Sequence, residues 1–114
     1  MKIILLDENL PVPLKNDFSD SFEVLTVYDK GWQSKKNGEL LQAIEDEGID
    51  FLMTADRNLE YQQNLDQYNL RLIVLITYDN RYKTLKDKVP IIEEVLLNEE
   101  STEGKVIKID LRNK

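Results

Sequence analysis

Short apolar runs alternate along this chain with polar or amphipathic segments, and that alternation constrains the fold more than any other feature. The runs are rich in aliphatic and β-branched residues, as buried strands are. They cover residues 2–6, 22–27, 49–54 and 70–76, and a last one opens at Gly104. Strands that alternate with helices predict an α/β fold. We therefore expect a three-layer α/β/α sandwich around a mostly parallel sheet of about five strands, joined by right-handed crossovers.

The segments between these runs are typical of helices. A first helix is predicted to begin at Leu10, with two prolines in its first turn. Residues 39–45 carry apolar side chains at helical spacing, and Gly48 is predicted to cap that helix. Residues 59–68 and 81–98 predict two more helices, the second broken or started at Pro90, and residues 29–37 read as a loop. The 114 residues favour one domain over residues 1–114.

The composition excludes several classes of chemistry, because the chain contains no Cys and no His. Thiolate nucleophiles, imidazole bases, catalytic triads and Cys/His zinc sites are all ruled out. Carboxylates, amides and hydroxyls remain, and these oxygen ligands suit the hard cations Mg²⁺ and Mn²⁺.

Two of the predicted strands end in the same way. The run 2–6 is followed by Asp7-Glu8-Asn9, and the run 49–54 is followed, after Ala55, by Asp56-Arg57-Asn58. If the two strands are neighbours in one parallel sheet, their carboxylates meet at its carboxyl edge, where open α/β sheets bind ligands. The sequence therefore predicts an acidic site that attracts a metal ion.

These segments also resemble a known family. The stretch I-I-L-L-D-E-N-L-P at residues 3–11, T-A-D-R-N at 54–58 and G-E-L-L at 38–41 are similar to the DUF5615-type, or Mut7-C-like, branch of the PIN-domain superfamily. The resemblance implies a PIN-like fold and a metal-dependent ribonuclease that cuts RNA. It also implies the toxin of a toxin and antitoxin pair, with an antitoxin-like protein partner and a tendency to form homodimers.

The resemblance also assigns the site residues. It implies that Asp7, Glu39 and Asp56 are the catalytic carboxylates and bind Mg²⁺ or Mn²⁺. Family members commonly read T-A-D-R-D-F in the third motif, whereas this chain has Asn58. An amide there removes one negative charge, so we expect weaker cation binding, with Asn58 and Asn9 offering amide oxygens to the metal or its water.

RNA binding needs positive charge, and the net charge of −7 argues against non-specific binding to nucleic acid. Local charge matters more, because a carboxylate site is acidic until a cation fills it. We predict that Arg57, Lys35 and Lys36 contact phosphates of the substrate, together with Asn9.

Each candidate residue has a simpler interpretation that stays open. Asp7 or Asp56 following a strand is also typical of a helix cap, and an acid at position 39 suits the first turn of a helix. Arg57 is as well suited to form an ion pair with Asp56 or Glu60 as to contact a substrate phosphate. Trp32 is predicted to pack against the core rather than to stack on a base.

Two other functions stay open. One is a catalytically inactive PIN-like interaction module, which fits Asn58 and the acidic charge. The other is a phosphoacceptor receiver-like domain, in which Asp56 is phosphorylated, Mg²⁺ is held by Asp7 and Glu8, and Thr77 supplies a hydroxyl. The N-terminal run is too short for a signal peptide or a membrane span, so we expect a cytoplasmic protein with no membrane contact.

Overall fold

A parallel sheet forms the centre of the fold. The computed structural model describes residues 1–98 and 104–112. The strands are β1 (Lys2–Leu6), β2 (Phe22–Thr26), β3 (Phe51–Thr54), β4 (Arg71–Ile76) and β5 (Val106–Asp110). All neighbouring pairs are parallel, and the order across the sheet is β2-β1-β3-β4-β5. The predicted α/β class and parallel five-stranded sheet are confirmed.

Four of the five α-helices are short, whereas the helix predicted at residues 39–45 is longer than predicted. The helices are α1 (Val27–Lys30), α2 (Asn37–Glu47), α3 (Leu59–Gln62), α4 (Tyr82–Leu85) and α5 (Val89–Leu97), with 3-10 turns at 12–17, 65–67 and 86–88. The longest, α2, has 11 residues, and no helix in residues 1–98 and 104–112 is long and apolar enough to cross a membrane. The fold therefore places several short helical segments around the sheet.

Three of the predicted helical boundaries are wrong. The first predicted helix is a 3-10 turn that starts at Val12, and the predicted loop at 29–37 overlaps the end of α1. The predicted helix at 59–68 is interrupted because Gln63 is extended, with φ −130° and ψ 146°. The Asn64 side chain then accepts the Asp66 N–H and starts a new turn.

Helices cover both sides of the sheet, as a three-layer sandwich requires. One side, face A, is covered by the 3-10 turn 12–17, α4 and α5, and the opposite side, face B, is covered by α1, α2 and α3. Alternate strand residues point to opposite faces, so Ile4 and Leu6 pack on face A whereas Leu5 packs on face B. The central strands therefore have apolar residues on both sides.

The last crossover differs from the expected handedness. The connections from β3 to β4 and from β4 to β5 step in the same direction across the sheet. The helix of the first lies on face B, whereas α4 and α5 of the second lie on face A. The two connections therefore have opposite handedness. Because connections between parallel strands are right-handed in nearly all proteins, we infer that the β4-to-β5 connection is the left-handed one.

Burial explains this exception. Face A carries apolar residues of β1, β3, β4 and β5, and the six-residue turn 12–17 is too short to cover them. Ile92 and Leu96 of α5 supply the missing apolar surface, while face B already has α2. As a consequence, α4 and α5 leave the face B side of β5 uncovered, and Lys108 is exposed there.

The C-cap of α2 generates a stability prediction. Gly48 has a φ of 71°, and a Cβ added there meets no atom within 4 Å. We expect Gly48→Ala to lower the free energy of unfolding by about 1 kcal/mol through backbone conformation alone. Urea unfolding at equilibrium measures this change.

Gly38 in the same helix provides the matched control. Its φ is not positive, and an added Cβ would meet only the side-chain oxygen of Gln63 at 3.8 Å. We expect Gly38→Ala to raise the free energy of unfolding by roughly 0.5 kcal/mol. Equal effects of the two substitutions would contradict a specific left-handed requirement at Gly48.

Candidate metal and substrate site

The predicted neighbours β1 and β3 are adjacent at the centre of the sheet. Leu6 lies opposite Met53, and the backbone N–H of Asp7 donates to the Met53 carbonyl at 2.9 Å. Asp7 therefore lies beside Thr54 at the carboxyl edge. With the order β2-β1-β3-β4-β5, this is also where the chain connections change direction, the position at which doubly wound sheets bind ligands.

The hydroxyl of Thr54 organises this edge. Thr54 has no exposed surface, and its Oγ1 donates to Asp7 Oδ2 at 2.9 Å. The same oxygen accepts the Asn9 side-chain Nδ2 and the Asp56 backbone N–H, each at 3.0 Å. One donor and two acceptor positions are thus all used. The arrangement fixes the Asp7 carboxylate and the Asp56 backbone around one buried atom.

Asn9 ties three loops of this edge together. Its Oδ1 accepts the Ala55 N–H at 3.2 Å, which joins the loop after β1 to the loop after β3. Its backbone carbonyl accepts the side-chain Nδ2 of Asn80, which follows β4, at 2.5 Å. The side-chain Nδ2 and Oδ1 of Asn9 therefore both form hydrogen bonds within the protein, to Thr54 and from Ala55. Its contact with a substrate stays a prediction.

Each carboxylate is oriented by a backbone group and keeps room for another ligand. Asp7 Oδ1 accepts the Glu8 N–H at 2.9 Å, and Asp56 Oδ1 accepts the Asn58 N–H at 2.9 Å, just before α3. The second contact closes a turn before the helix, whose N-cap residue is Asn58 and not Asp56. A carboxylate offers about four lone-pair positions, so these bonds leave acceptor capacity for a cation.

Glu39 lies at the same edge but has a different contact. Helix α2 follows β2 and runs back to the start of β3, so its first turn is at the carboxyl edge. Glu39 Oε1 accepts the Lys36 N–H at 3.3 Å, as an acid in the first turn does. The structure brings Asp7 and Asp56 together around Thr54, and it leaves Glu39 exposed at its own helix start.

The described residues contain no group of three or more Asp, Glu, Cys or His side chains that could hold a metal ion. Any cation here would rely on Asp7 and Asp56 first. Two carboxylates suit Mg²⁺, which usually keeps several waters and takes further ligands from a substrate phosphate. The chemistry of this donor set therefore fits Mg²⁺ or Mn²⁺.

The basic residues lie around the edge in different environments. Arg57 is exposed, and its positive charge, like that of Arg112, stabilises the ionised carboxylate of Asp110. Hydrogen bonds from Arg112, together with the charge of Arg57, hold the pKa of Asp110 well below its usual range. Glu60 does not pair with Arg57, because it forms an ion pair with Lys108 at 2.9 Å.

The loop before α2 carries the other predicted phosphate contacts. Lys35 and Lys36 are exposed, and the Lys35 N–H donates to the Trp32 carbonyl at 3.0 Å. Trp32 packs partly buried against the face B core, which confirms the packing interpretation. Its ring also lies 5.3 Å from the ammonium of Lys30.

The hydroxyl that a receiver domain would need is engaged elsewhere, because Thr77 Oγ1 donates to the Asp79 carbonyl at 2.8 Å. The strand order is nevertheless the flavodoxin-like order that receiver domains share.

Comparisons of the chain with known protein families, curated proteins and solved structures gave no match. The fold and the arrangement at its carboxyl edge therefore carry the functional interpretation.

The sequence did not reveal the role of Thr54. The available signal was a single hydroxyl at the end of an aliphatic strand, followed two residues later by Asp56. A polar side chain with no exposed surface needs partners, and here the partners come from residues 45 and 47 positions away.

Removal of this hydroxyl should be costly. Thr54→Val keeps the shape but leaves the Asn9 amide, the Asp56 N–H and the Asp7 carboxylate without their shared partner. We expect a loss of about 3 kcal/mol in the free energy of unfolding. Chemical unfolding at equilibrium measures it.

Thr26 at the end of β2 is the matched control. It is also buried, but its hydroxyl contacts a single neighbouring residue, Asp29, whose N–H it accepts at 3.0 Å. We expect Thr26→Val to cost about 1 kcal/mol, the usual size of a lost N-cap. Equal losses in the free energy of unfolding at the two threonines would show that the hydrogen bonds of Thr54 contribute no more stability than the cap at Thr26.

Asp79 after β4 generates a pH prediction. Hydrogen bonds from Thr84 and Arg81 lower the pKa of Asp79 to about 2. A lowered pKa stabilises the fold above about pH 4, and this contribution is lost as the pH falls from 4 towards 2. A carbon NMR titration of the Asp79 carboxyl should show its midpoint near 2.

The Thr84→Val variant controls this titration, because it removes the first of the two donors. We expect the pKa of Asp79 to rise in that variant while the Arg81 contacts remain. A wild-type midpoint near 3.8, the ordinary pKa of an aspartate, would contradict the proposed hydrogen bonds.

Proposed function

We propose that this chain is a metal-dependent ribonuclease that hydrolyses RNA phosphodiesters at the carboxyl edge of β1 and β3. One observation carries the proposal, namely that the Asp7 carboxylate and the Asp56 backbone N–H both bind the buried Thr54 hydroxyl, at the position where doubly wound sheets bind ligands. The resemblance of residues 3–11 and 54–58 to PIN-like ribonucleases supports the same reaction.

The proposed cofactor is Mg²⁺ or Mn²⁺, held by Asp7 and Asp56 with the Asn58 amide as a further oxygen donor. When bound, such a cation activates a water molecule and neutralises charge on the phosphate. The protein contributes orientation, because the Asp7 carboxylate is fixed from one side by Thr54 and from the other by the Glu8 N–H. A fixed carboxylate loses little conformational entropy when it binds.

The remaining residues have supporting roles in this proposal. Glu39 is the proposed third carboxylate, and to bind a cation it would exchange its hydrogen bond from the Lys36 N–H. Arg57, Lys35 and Lys36 are exposed at this edge and would contact phosphates on either side of the scissile bond. A role as a cytoplasmic toxin with an antitoxin-like partner, and a homodimeric state, follow from the resemblance alone.

The test is cleavage of a mixed single-stranded RNA pool with Mn²⁺, with Mg²⁺ and with chelator. We expect wild-type protein to cut with either metal and Asp7→Asn to lose at least a hundredfold in rate, because a ligand charge is removed. Asp20→Asn is the control, since it makes the same charge change at the opposite edge, where Asp20 is exposed. Retained cleavage by Asp7→Asn would overturn the proposed mechanism.

Glu39→Gln separates a ligand from a helix cap. If Glu39 binds the cation, calorimetric titration with Mn²⁺ should show weaker binding in the variant while unfolding changes little. If it acts only as a cap, Mn²⁺ binding stays the same and the free energy of unfolding falls by about 0.5–1 kcal/mol.

A second candidate is a metal-free interaction module with the same fold. It is favoured by the capping contact of Glu39 and by the lack of a three-carboxylate group among the described residues. Calorimetry also distinguishes it, because such a module would bind no Mn²⁺ at millimolar concentration. A receiver-like domain would instead be labelled on Asp56 by an acyl phosphate donor.

A further inference from the structure

A cavity of about 470 Å³ opens on face B beside the loop that carries Asp56. Its floor is formed by Val74 and Ile76 near the end of β4, and Tyr61 of α3 forms one wall. The cavity is open because the β4-to-β5 connection crosses face A, and α3 reaches the face B side of β5 only through Glu60 and Tyr61. Its volume lies in the range that holds a small organic ligand.

The aromatic wall is exposed and held in place. Tyr61 is 74% exposed, so its ring is accessible from the cavity. The ammonium of Lys108 lies 3.4 Å from the Tyr61 hydroxyl and 5.7 Å from the ring centroid. Lys108 is itself held by Glu60 at 2.9 Å, so the ring is oriented before any ligand arrives.

The rim of the cavity continues into the proposed active site. Arg57 and Asn58 line it, and they directly follow Asp56 in the chain. Arg57 is exposed and brings positive charge to this rim, while Asn58 and Glu60 offer hydrogen-bonding groups. An aliphatic floor, an aromatic wall, polar groups and a cation at the mouth match the parts of a nucleotide: a flat base and a phosphate.

We propose that this cavity receives the base of a nucleotide that neighbours the scissile phosphate of single-stranded RNA, stacked on Tyr61. The identification of the neighbouring phosphate rests on the proposed ribonuclease activity. Binding of the base does not, because it uses Tyr61, the aliphatic floor and Arg57 and needs no cation. Base stacking tolerates any sequence, since every base has an aromatic face.

The experiment measures binding of a fluorescently labelled ten-nucleotide RNA of mixed sequence by anisotropy, in chelator and at low salt. We expect Tyr61→Ala to weaken binding roughly tenfold, the size of one lost stacked base, and Tyr61→Phe to bind as wild type. Tyr78→Ala is the matched control, because Tyr78 is equally exposed, at 77%, and does not line the cavity. We expect it to have no effect.

Two further ligands identify what the cavity accepts. An abasic oligonucleotide of the same length should bind roughly tenfold more weakly than RNA and should not respond to Tyr61→Ala. A mixture of the four mononucleotides should bind far more weakly than the oligonucleotide. Mononucleotides that bind as tightly as RNA, with the same dependence on Tyr61, would overturn the assignment in favour of a small-molecule site.

The outcomes separate this inference from the proposed function. Equal binding of RNA by wild type and Tyr61→Ala, or no RNA binding by wild type, overturns the inference even if metal-dependent cleavage is found. A Tyr61-dependent affinity for RNA supports it even if no metal-dependent cleavage is found, in which case the ribonuclease proposal alone fails.

Discussion

The parallel pairing of β1 with β3 is the constraint on which the rest of the structure depends. Residues 4–6 of β1 and all residues of β3 are buried, with Leu6 opposite Met53. A shift of one residue would move every side chain to the opposite face, so core packing fixes the register strongly. The register in turn places Asp7 beside Thr54. The geometry of the candidate site is therefore a direct consequence of how the apolar strands pack.

The polar network at this edge depends on one buried oxygen. A hydroxyl with no exposed surface is unfavourable unless its hydrogen bonds are made, and Thr54 makes all three of them. Because the partners belong to two loops, the loss of the hydroxyl would release both loops together. The same atom thus links the stability of the sheet edge to the position of the Asp7 carboxylate. A site fixed in this way keeps its shape without a bound cation.

Local features were predictable from the sequence, and features that depend on distant packing were not. The apolar runs and the cap at Gly48 depend on neighbouring residues, and both were found. The roles of Thr54 and Asn9 depend on contacts between loops more than 40 residues apart, which no local pattern encodes. Glu39 was correctly placed at a helix start, yet its position fits a metal ligand and a cap equally well. The structure shows that Glu39 accepts the Lys36 backbone N–H, which is the contact of a helix cap.

The left-handed last crossover also has a consequence for binding. A right-handed connection would place α5 on face B, over Val74, Ile76 and Lys108, and would close the cavity beside the Asp56 loop. It would also leave Ile92 and Leu96 unable to cover the apolar residues of face A. The burial of face A and the opening on face B therefore both follow from the side of the sheet on which α5 packs. The surface next to Asp56 is open because α5 packs on face A.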